Sequence, residues 1–266
     1  MLVAIDVGNT QTVIGLFGPG DGPGGSSSEL IYHWRVATIA SRTADEVALL
    51  LDQLFQLQGL DPEESITGIA VASVVPRQRT ALREMTQKWF KVDTVIVEPG
   101  VRTGMPIHYD NPKEVGADRI ADAVAAFERY GGPTIVIDFG TATTFEVVSE
   151  RGEYLGGVII PGIEISLEAL FSRAALLPRV ELVEPRAVLA KNTVESIQSG
   201  IIYGFAAQVD GLCRRLEDEV GPCTVVATGG LAGLIGPHSR AIEHQEPWLT
   251  LEGLRIIFGR NEKEPR

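Results

Sequence analysis

Positive charge and cysteine are scarce in this chain of 266 residues, and each shortage removes a class of function. Lys and Arg number 23 against 35 Asp and Glu, a formal net charge of -12. A protein that grips a phosphate backbone needs clustered cations, so this balance argues against nucleic acid as a partner. An anionic substrate has to be met by a few local cations and by backbone N–H groups. The two cysteines, Cys213 and Cys223, lack metal-ligand spacing, and His33, His108, His238 and His244 stand singly, so no zinc site is expected. The thiols read as buried or idle in a reducing compartment. No run reaches the ~18 apolar residues of a membrane span, and Met1 opens directly onto a strand pattern. A soluble, cytoplasmic protein is expected. Also missing is Gly-x-x-x-x-Gly-Lys-Ser/Thr, which excludes a P-loop enzyme.

What is present is an alternation of strand and helix patterns. Met1–Asp6, Thr12–Phe17 and Leu30–Ala37 have strand composition, with Gly18–Ser28 as a flexible hairpin tip. Thr43–Gly59 is helical, opened by a capping box of Thr43 and Glu46. Ile66–Val75 reads as a buried strand, Gln78–Phe90 as a helix and Thr94–Val97 as a strand. A helix falls within Asn111–Tyr130, its start left open by Gly116, and the strand Thr134–Asp138 follows. The pattern indicates mixed α/β layers.

One segment recurs. Ile5-Asp6-Val7-Gly8-Asn9-Thr10-Gln11-Thr12-Val13 and Ile137-Asp138-Phe139-Gly140-Thr141-Ala142-Thr143-Thr144-Phe145 share a plan of strand, Asp-x-Gly, hydroxyl-rich turn and strand. The copies stand about half the chain apart, which suggests duplication into two lobes, residues 1–125 and 126–266. Glycine lets backbone N–H groups approach phosphate oxygens, threonines add donors, and a strand-end carboxylate suits Mg2+. A lone turn of this kind is ordinarily a hairpin; two matched copies indicate an ATP cleft between lobes. The Gly-x-Gly-x-x-Gly match at Gly20–Gly25 is accidental, because Pro23 and the strand after it preclude the required helix. Gly229-Gly230, after the strand Thr224–Ala227, offers a flat backbone surface for adenosine.

The order loop, loop, Gly-Gly resembles the actin, hexokinase and heat-shock ATPase superfamily, which implies two related lobes of ribonuclease-H-like fold. Tyr109-Asp-Asn-Pro-Lys-Glu-Val-Gly116-Ala117-Asp118-Arg119, Asp138–Phe145, Leu155–Gly162, Asn192–Gly200 and Thr250–Leu254 are similar to the motifs of type III pantothenate kinase. That resemblance covers Met1 to about Asn261. It implies ATP-dependent phosphorylation of pantothenate, the entry to coenzyme A synthesis, by a homodimer using Mg2+ and a monovalent cation, K+ or ammonium. By type alone Asp118 fits equally a catalytic base and a helix-start carboxylate, Arg119 a substrate contact and a surface ion pair, Tyr109 a pocket wall and a core-edge aromatic. The resemblance implies that Asp118 is the base and that Tyr109, Gly116, Ala117, Arg119 and Thr193 contact pantothenate. It implies that Asp6, Val7, Gly8, Asn9, Thr10, Gln11, Thr12, Val13 and Thr141 serve ATP and its Mg2+, and that Asp138 holds the monovalent cation. Gln11 and Glu146 depart from the residues expected there, Asn or His and Asp. Two other readings compete: a sugar-type kinase of the same superfamily, and a non-enzymatic regulator, which would be expected to lose one of Asp6, Asp118 or Asp138.

Overall fold

The computed structural model describes residues 1–19 and 29–262, so most of the expected tip at Gly18–Ser28 lies outside the described residues. The chain forms two compact units, one of Met1–Ala125 with Leu249–Arg266 and the other of Ala126–Trp248.

In the first unit, β1 (Leu2–Val7), β2 (Gln11–Phe17) and β3 (Leu30–Ala37) form an antiparallel meander. After α1 (Ala44–Gln56) and the short α2 (Pro62–Ser65), β4 (Gly68–Ser73) pairs in parallel with β1. Next come α3 (Pro76–Met85), which runs into a wider turn at Thr86–Phe90, and β5 (Asp93–Ile96), parallel to β4. The sheet order is β3-β2-β1-β4-β5. Period-two alternation sends Val3, Ile5, Val7, Ile14 and Leu16 to one face, where Leu51 and Phe55 of α1 and Leu82 and Met85 of α3 join them in the core. The capping box at Thr43 forms as its sequence indicates: the Thr43 hydroxyl accepts from Glu46 N, and the Glu46 carboxylate accepts from Thr43 N.

The helix α4 (Ala117–Tyr130) begins in the first unit and ends in the second. It starts six residues beyond Asn111, because Pro112–Glu114 close a separate tight turn and Val115 is extended.

The second unit repeats the plan with β6 (Thr134–Phe139), β7 (Ala142–Val148) and β8 (Tyr154–Pro161), then α5 (Ile163–Arg173), α6 (Thr193–Val220), β9 (Thr224–Thr228), α7 (Ala232–Ile235) and β10 (His244–Gln245). Its sheet order is β10-β9-β6-β7-β8, the mirror listing of the first, with the same two antiparallel and two parallel pairings. Ile135, Ile137, Phe139, Phe145 and Val147 face Leu167 of α5 and Ile202, Ala206 and Val209 of α6.

The last helix, α8 (Leu249–Gly259), belongs by sequence order to the second half but packs in the first unit. Small strand residues make room for it. A Cβ on Gly15 would lie 2.7 Å from Leu251 Cδ1, and one on Gly68 would strike the Phe258 ring. In turn, Gly253 of α8 approaches the Ala121 carbonyl of α4 so closely that no side chain fits between them.

Gly253→Ala therefore forces two helices apart and is expected to cost about 1–3 kcal/mol, read as a lower denaturant midpoint at unchanged slope. Gly211→Ala on α6, where an added Cβ meets nothing within 4 Å, is the contrast. It should gain about 0.5–1 kcal/mol.

Candidate active site

Asp6 is the next-to-last residue of β1, paired in register with Val13 of β2 and Ala72 of β4. It lies where parallel strands end, the usual position of ligand sites in such sheets. The loop that follows is closed by Gly8 N donating to Gln11 O at 3.0 Å, leaving Asn9 and Thr10 exposed. Its return side is braced. Thr38 N donates to Thr10 O at 3.0 Å, the Thr12 and Thr38 hydroxyls lie 2.8 Å apart, and Arg35 Nη1 donates to Gln11 Oε1 at 2.8 Å. The backbone of this turn can approach phosphate oxygens, and its exposed hydroxyl and amide add donors.

Asp118 occupies the first turn of α4. Its Oδ1 accepts from Arg119 N at 2.8 Å. The same oxygen fills the space that a Cβ on Gly116 would take. A side chain at 116 would therefore have to displace the carboxylate two residues on. Burial raises the Asp118 pKa above the ordinary carboxylate range, opposed by the Arg119 backbone hydrogen bond and the Arg119 charge. Arg119 is itself buried, with 9 % of its surface exposed, and Tyr109 is half-buried in the loop before.

In the second unit Asp138 takes the place of Asp6 near the end of β6, but its neighbours differ. It pairs in register with Thr144 on β7 and Thr228 on β9, so hydroxyl-bearing residues flank it on both sides of one sheet face. Gly140 N donates to Ala142 O at 3.1 Å and closes the turn that exposes Thr141. Two other motifs converge here. Gly229, at φ +91°, lies against Asp138 Oδ1 and Phe139 N, and Gly162 at the start of α5 lies against the carbonyls of Gly140 and Thr141. A side chain at either glycine would drive into these groups. The sequence offered Gly229-Gly230 as an adenosine surface; the structure gives Gly229 a separate reason, the left-handed backbone and the carboxylate beside it.

Thr193 is the first residue of α6, capped by Asn192, whose Oδ1 accepts from Glu195 N at 2.9 Å. It lines a cavity of about 740 Å³ with Asn192, Lys191, Ser196, Ile197 and Leu170. The structure thus carries Asp6, the loop to Val13, Tyr109 and Gly116–Arg119 on the first unit, and Asp138, Thr141 and Thr193 on the second. Among the described residues no group of three or more His, Cys, Asp or Glu side chains is placed to hold a metal ion. A divalent ion here would arrive with phosphate ligands, as Mg2+ does with nucleotides. No helix among the described residues is long and apolar enough to cross a membrane. Sequence reasoning missed the flanking role of Thr228 and the bracing role of Thr38, since both depend on strand pairing distant in the chain.

Known proteins resemble this chain over nearly its whole length. Residues 2–215 match the family model described as type III pantothenate kinase. The type III pantothenate kinase of Myxococcus xanthus is 53% identical over 98% of this chain and 99% of its own length. That of Moorella thermoacetica is 55% identical over 98% of this chain and all of its own. Among solved structures, a Campylobacter jejuni protein named as a Baf family transcriptional activator superposes with a TM-score of 0.58 at 18% identity, covering 97% of this chain and 98% of that one. A Listeria monocytogenes protein named as an N-acetylmannosamine kinase superposes at 0.57 and 14% identity, covering 98% and 99%. At such identities the structural likeness speaks for the fold of the actin and hexokinase type.

A carboxyl whose pKa is raised by folding makes the folded state hold more protons than the unfolded one between the two pKa values. Stability then falls as pH rises through that window, which opens near the ordinary Asp value of ~3.9. Asp118→Asn removes the buried charge. Its melting temperature should match the parent below about pH 4 and exceed it at pH 7. A difference independent of pH would refute the assignment of the raised pKa to Asp118.

Proposed function

The chain belongs to the type III pantothenate kinase family and phosphorylates pantothenate with ATP, the first step of coenzyme A biosynthesis; we propose that Asp118 is the base of that reaction. The observation that carries the proposal is a partly desolvated carboxylate held in the first turn of α4 against a glycine, with a buried guanidinium next to it. The acceptor hydroxyl becomes acidic late in phosphoryl transfer, so a carboxylate suffices to take its proton, and a raised pKa brings it nearer the task. Arg119 offers a fixed fork for the carboxylate of pantothenate. Tyr109, Gly116, Ala117 and Thr193 complete the acceptor side.

ATP falls to the first loop. Backbone N–H groups and side chains from Val7 to Val13, with Thr141 from the second loop, bind its phosphates. Asp6 holds the accompanying Mg2+, which neutralises charge on the phosphate oxygens. Asp138 serves a monovalent cation, K+ or ammonium. The flanking Thr144 and Thr228 support this, because a large weakly bound cation wants several neutral oxygens, whereas Asp6 has Val13 and Ala72 at the same register. A cytoplasmic place of action fits the two free thiols, Cys213 and Cys223, both buried.

The working enzyme is a homodimer. Ile165, Leu170, Leu176, Leu189 and Val194 are exposed large apolar residues on α5, on the first turn of α6 and between them, with Leu176 95% exposed. Such a cluster ordinarily marks an interface.

The assay is ATP turnover with and without pantothenate, in K+, ammonium and Na+ buffers. The parent enzyme should need pantothenate and be active with K+ or ammonium but feeble in Na+ alone. Asp118→Asn should lose about 100- to 10,000-fold in kcat with nucleotide binding retained. Loss of nucleotide binding instead would reassign Asp118 to the fold, and indifference to the cation would remove Asp138 from its role. Sedimentation should give twice the chain mass of 28.6 kDa, and Leu176→Glu should shift it toward one chain. A parent of single-chain mass would refute the dimer.

A further inference from the structure

Gln78 is buried, with 5% of its surface exposed, in the first turn of α3, and has been given no part in the reaction above. Its Nε2 donates to three main-chain carbonyls of one turn: Ile39 at 2.9 Å, Arg42 at 3.0 Å and Ala40 at 3.3 Å. Three acceptor oxygens admit only the NH2 end of the amide, so the side-chain orientation is fixed by chemistry. The amide has two hydrogens for three acceptors, and the longest contact shares one.

The turn so held is the continuation of Thr38. That residue meets the first Asp-x-Gly loop twice, through its N–H to Thr10 O and its hydroxyl to Thr12 Oγ1. On the other side α3 follows from β4, whose end is tied back to β1 by Val74 N donating to Val7 O at 3.1 Å. The bonds close a ring: loop, Thr38, turn 39–42, Gln78, the end of β4, the end of β1, and the loop again. Without Gln78 the turn keeps a single internal main-chain bond, Arg42 N to Ile39 O at 3.0 Å, and the carbonyls of Ala40 and Arg42 lose the donor that Gln78 gives them.

We propose that Gln78 is a positioning residue for nucleotide binding: by clamping residues 39–42 it fixes Thr38, and through Thr38 the backbone of the phosphate loop. This rests on the assignment of Gly8–Thr12 to the phosphates of ATP. A backbone cradle works only if its N–H groups are already aimed, so slack in the loop weakens ATP binding rather than pantothenate binding.

The test uses the full-length enzyme and Gln78→Met, which keeps the volume and deletes the donors. KM for ATP and the dissociation constant of Mg–ATP should rise about tenfold. KM for pantothenate should stay within twofold of the parent, roughly the scatter expected of an uninvolved site. Thr38→Val, which removes the hydroxyl bridge, should raise the same two constants, and the double variant should show less than the product of the two effects. Equal changes in both KM values, no change, or fully multiplicative effects would overturn the proposal. If Gln78→Met does not fold, Thr38→Val decides alone by the same selective rise in the ATP constants. Asp6→Asn separates the two levels: if it leaves Mg–ATP binding intact, the loop assignment itself is wrong. If it weakens binding while Gln78→Met does not, only the clamp fails.

Discussion

A carboxylate that must act at a fixed point has to be held without being walled in by side chains, and here glycine backbone does the holding. Asp118 occupies the space where a Gly116 side chain would stand, and Asp138 does the same beneath Gly229. The two cases share a logic but not a mechanism. At Gly116 the constraint is local, two residues along one chain. At Gly229 it joins the ends of β6 and β9, and the left-handed backbone at φ +91° adds a second reason for glycine. In both, a side chain in place of the glycine would collide with the carboxylate. Hydrogen bonds to a charged carboxylate would stabilise the ion and lower its basicity. At Asp118 burial outweighs the backbone hydrogen bonds and the Arg119 charge.

The two units carry one plan with different residues at corresponding places. Both sheets have the same strand order and directions, and both place an Asp next to last in their first strand. The flanking positions then diverge, Val13 and Ala72 around Asp6 against Thr144 and Thr228 around Asp138. The flanks of Asp6 are apolar. Hydroxyl flanks make an oxygen-bearing floor. A single topology thus yields two carboxylates with different surroundings.

Much of this was legible in the sequence where the signal is local. The strands showed their alternation, α1 its capping box at Thr43, and the Asp-x-Gly repeat its doubled plan. The start of α4 was not, since Asn111 and Pro112 mimic a helix entry and serve a short turn instead. The return of α8 to the first sheet was also hidden: its cue is the small size of Gly15 and Gly68, and glycine in a strand has several explanations. Of the site, the loops could be argued from chemistry, but Asp118 and Arg119 were singled out by family resemblance. The supports, Thr38 and Gln78, left no trace, because Gln78 meets its partners across 36 to 39 residues of chain.

Charge places the last constraint on how such a site works. At a net charge of -12 the molecule repels a polyphosphate at long range, and screening confines any attraction to the final ~8 Å. Arg119 is the one buried cation among the described residues. Binding of ATP then has to come from short contacts, backbone N–H groups and the metal that travels with the nucleotide, which is why the aim of a few amides matters more than the field of the protein. If residues 8–12 hold the phosphates as proposed, the hydrogen bonds that brace them take the part that surface cations play in a basic protein.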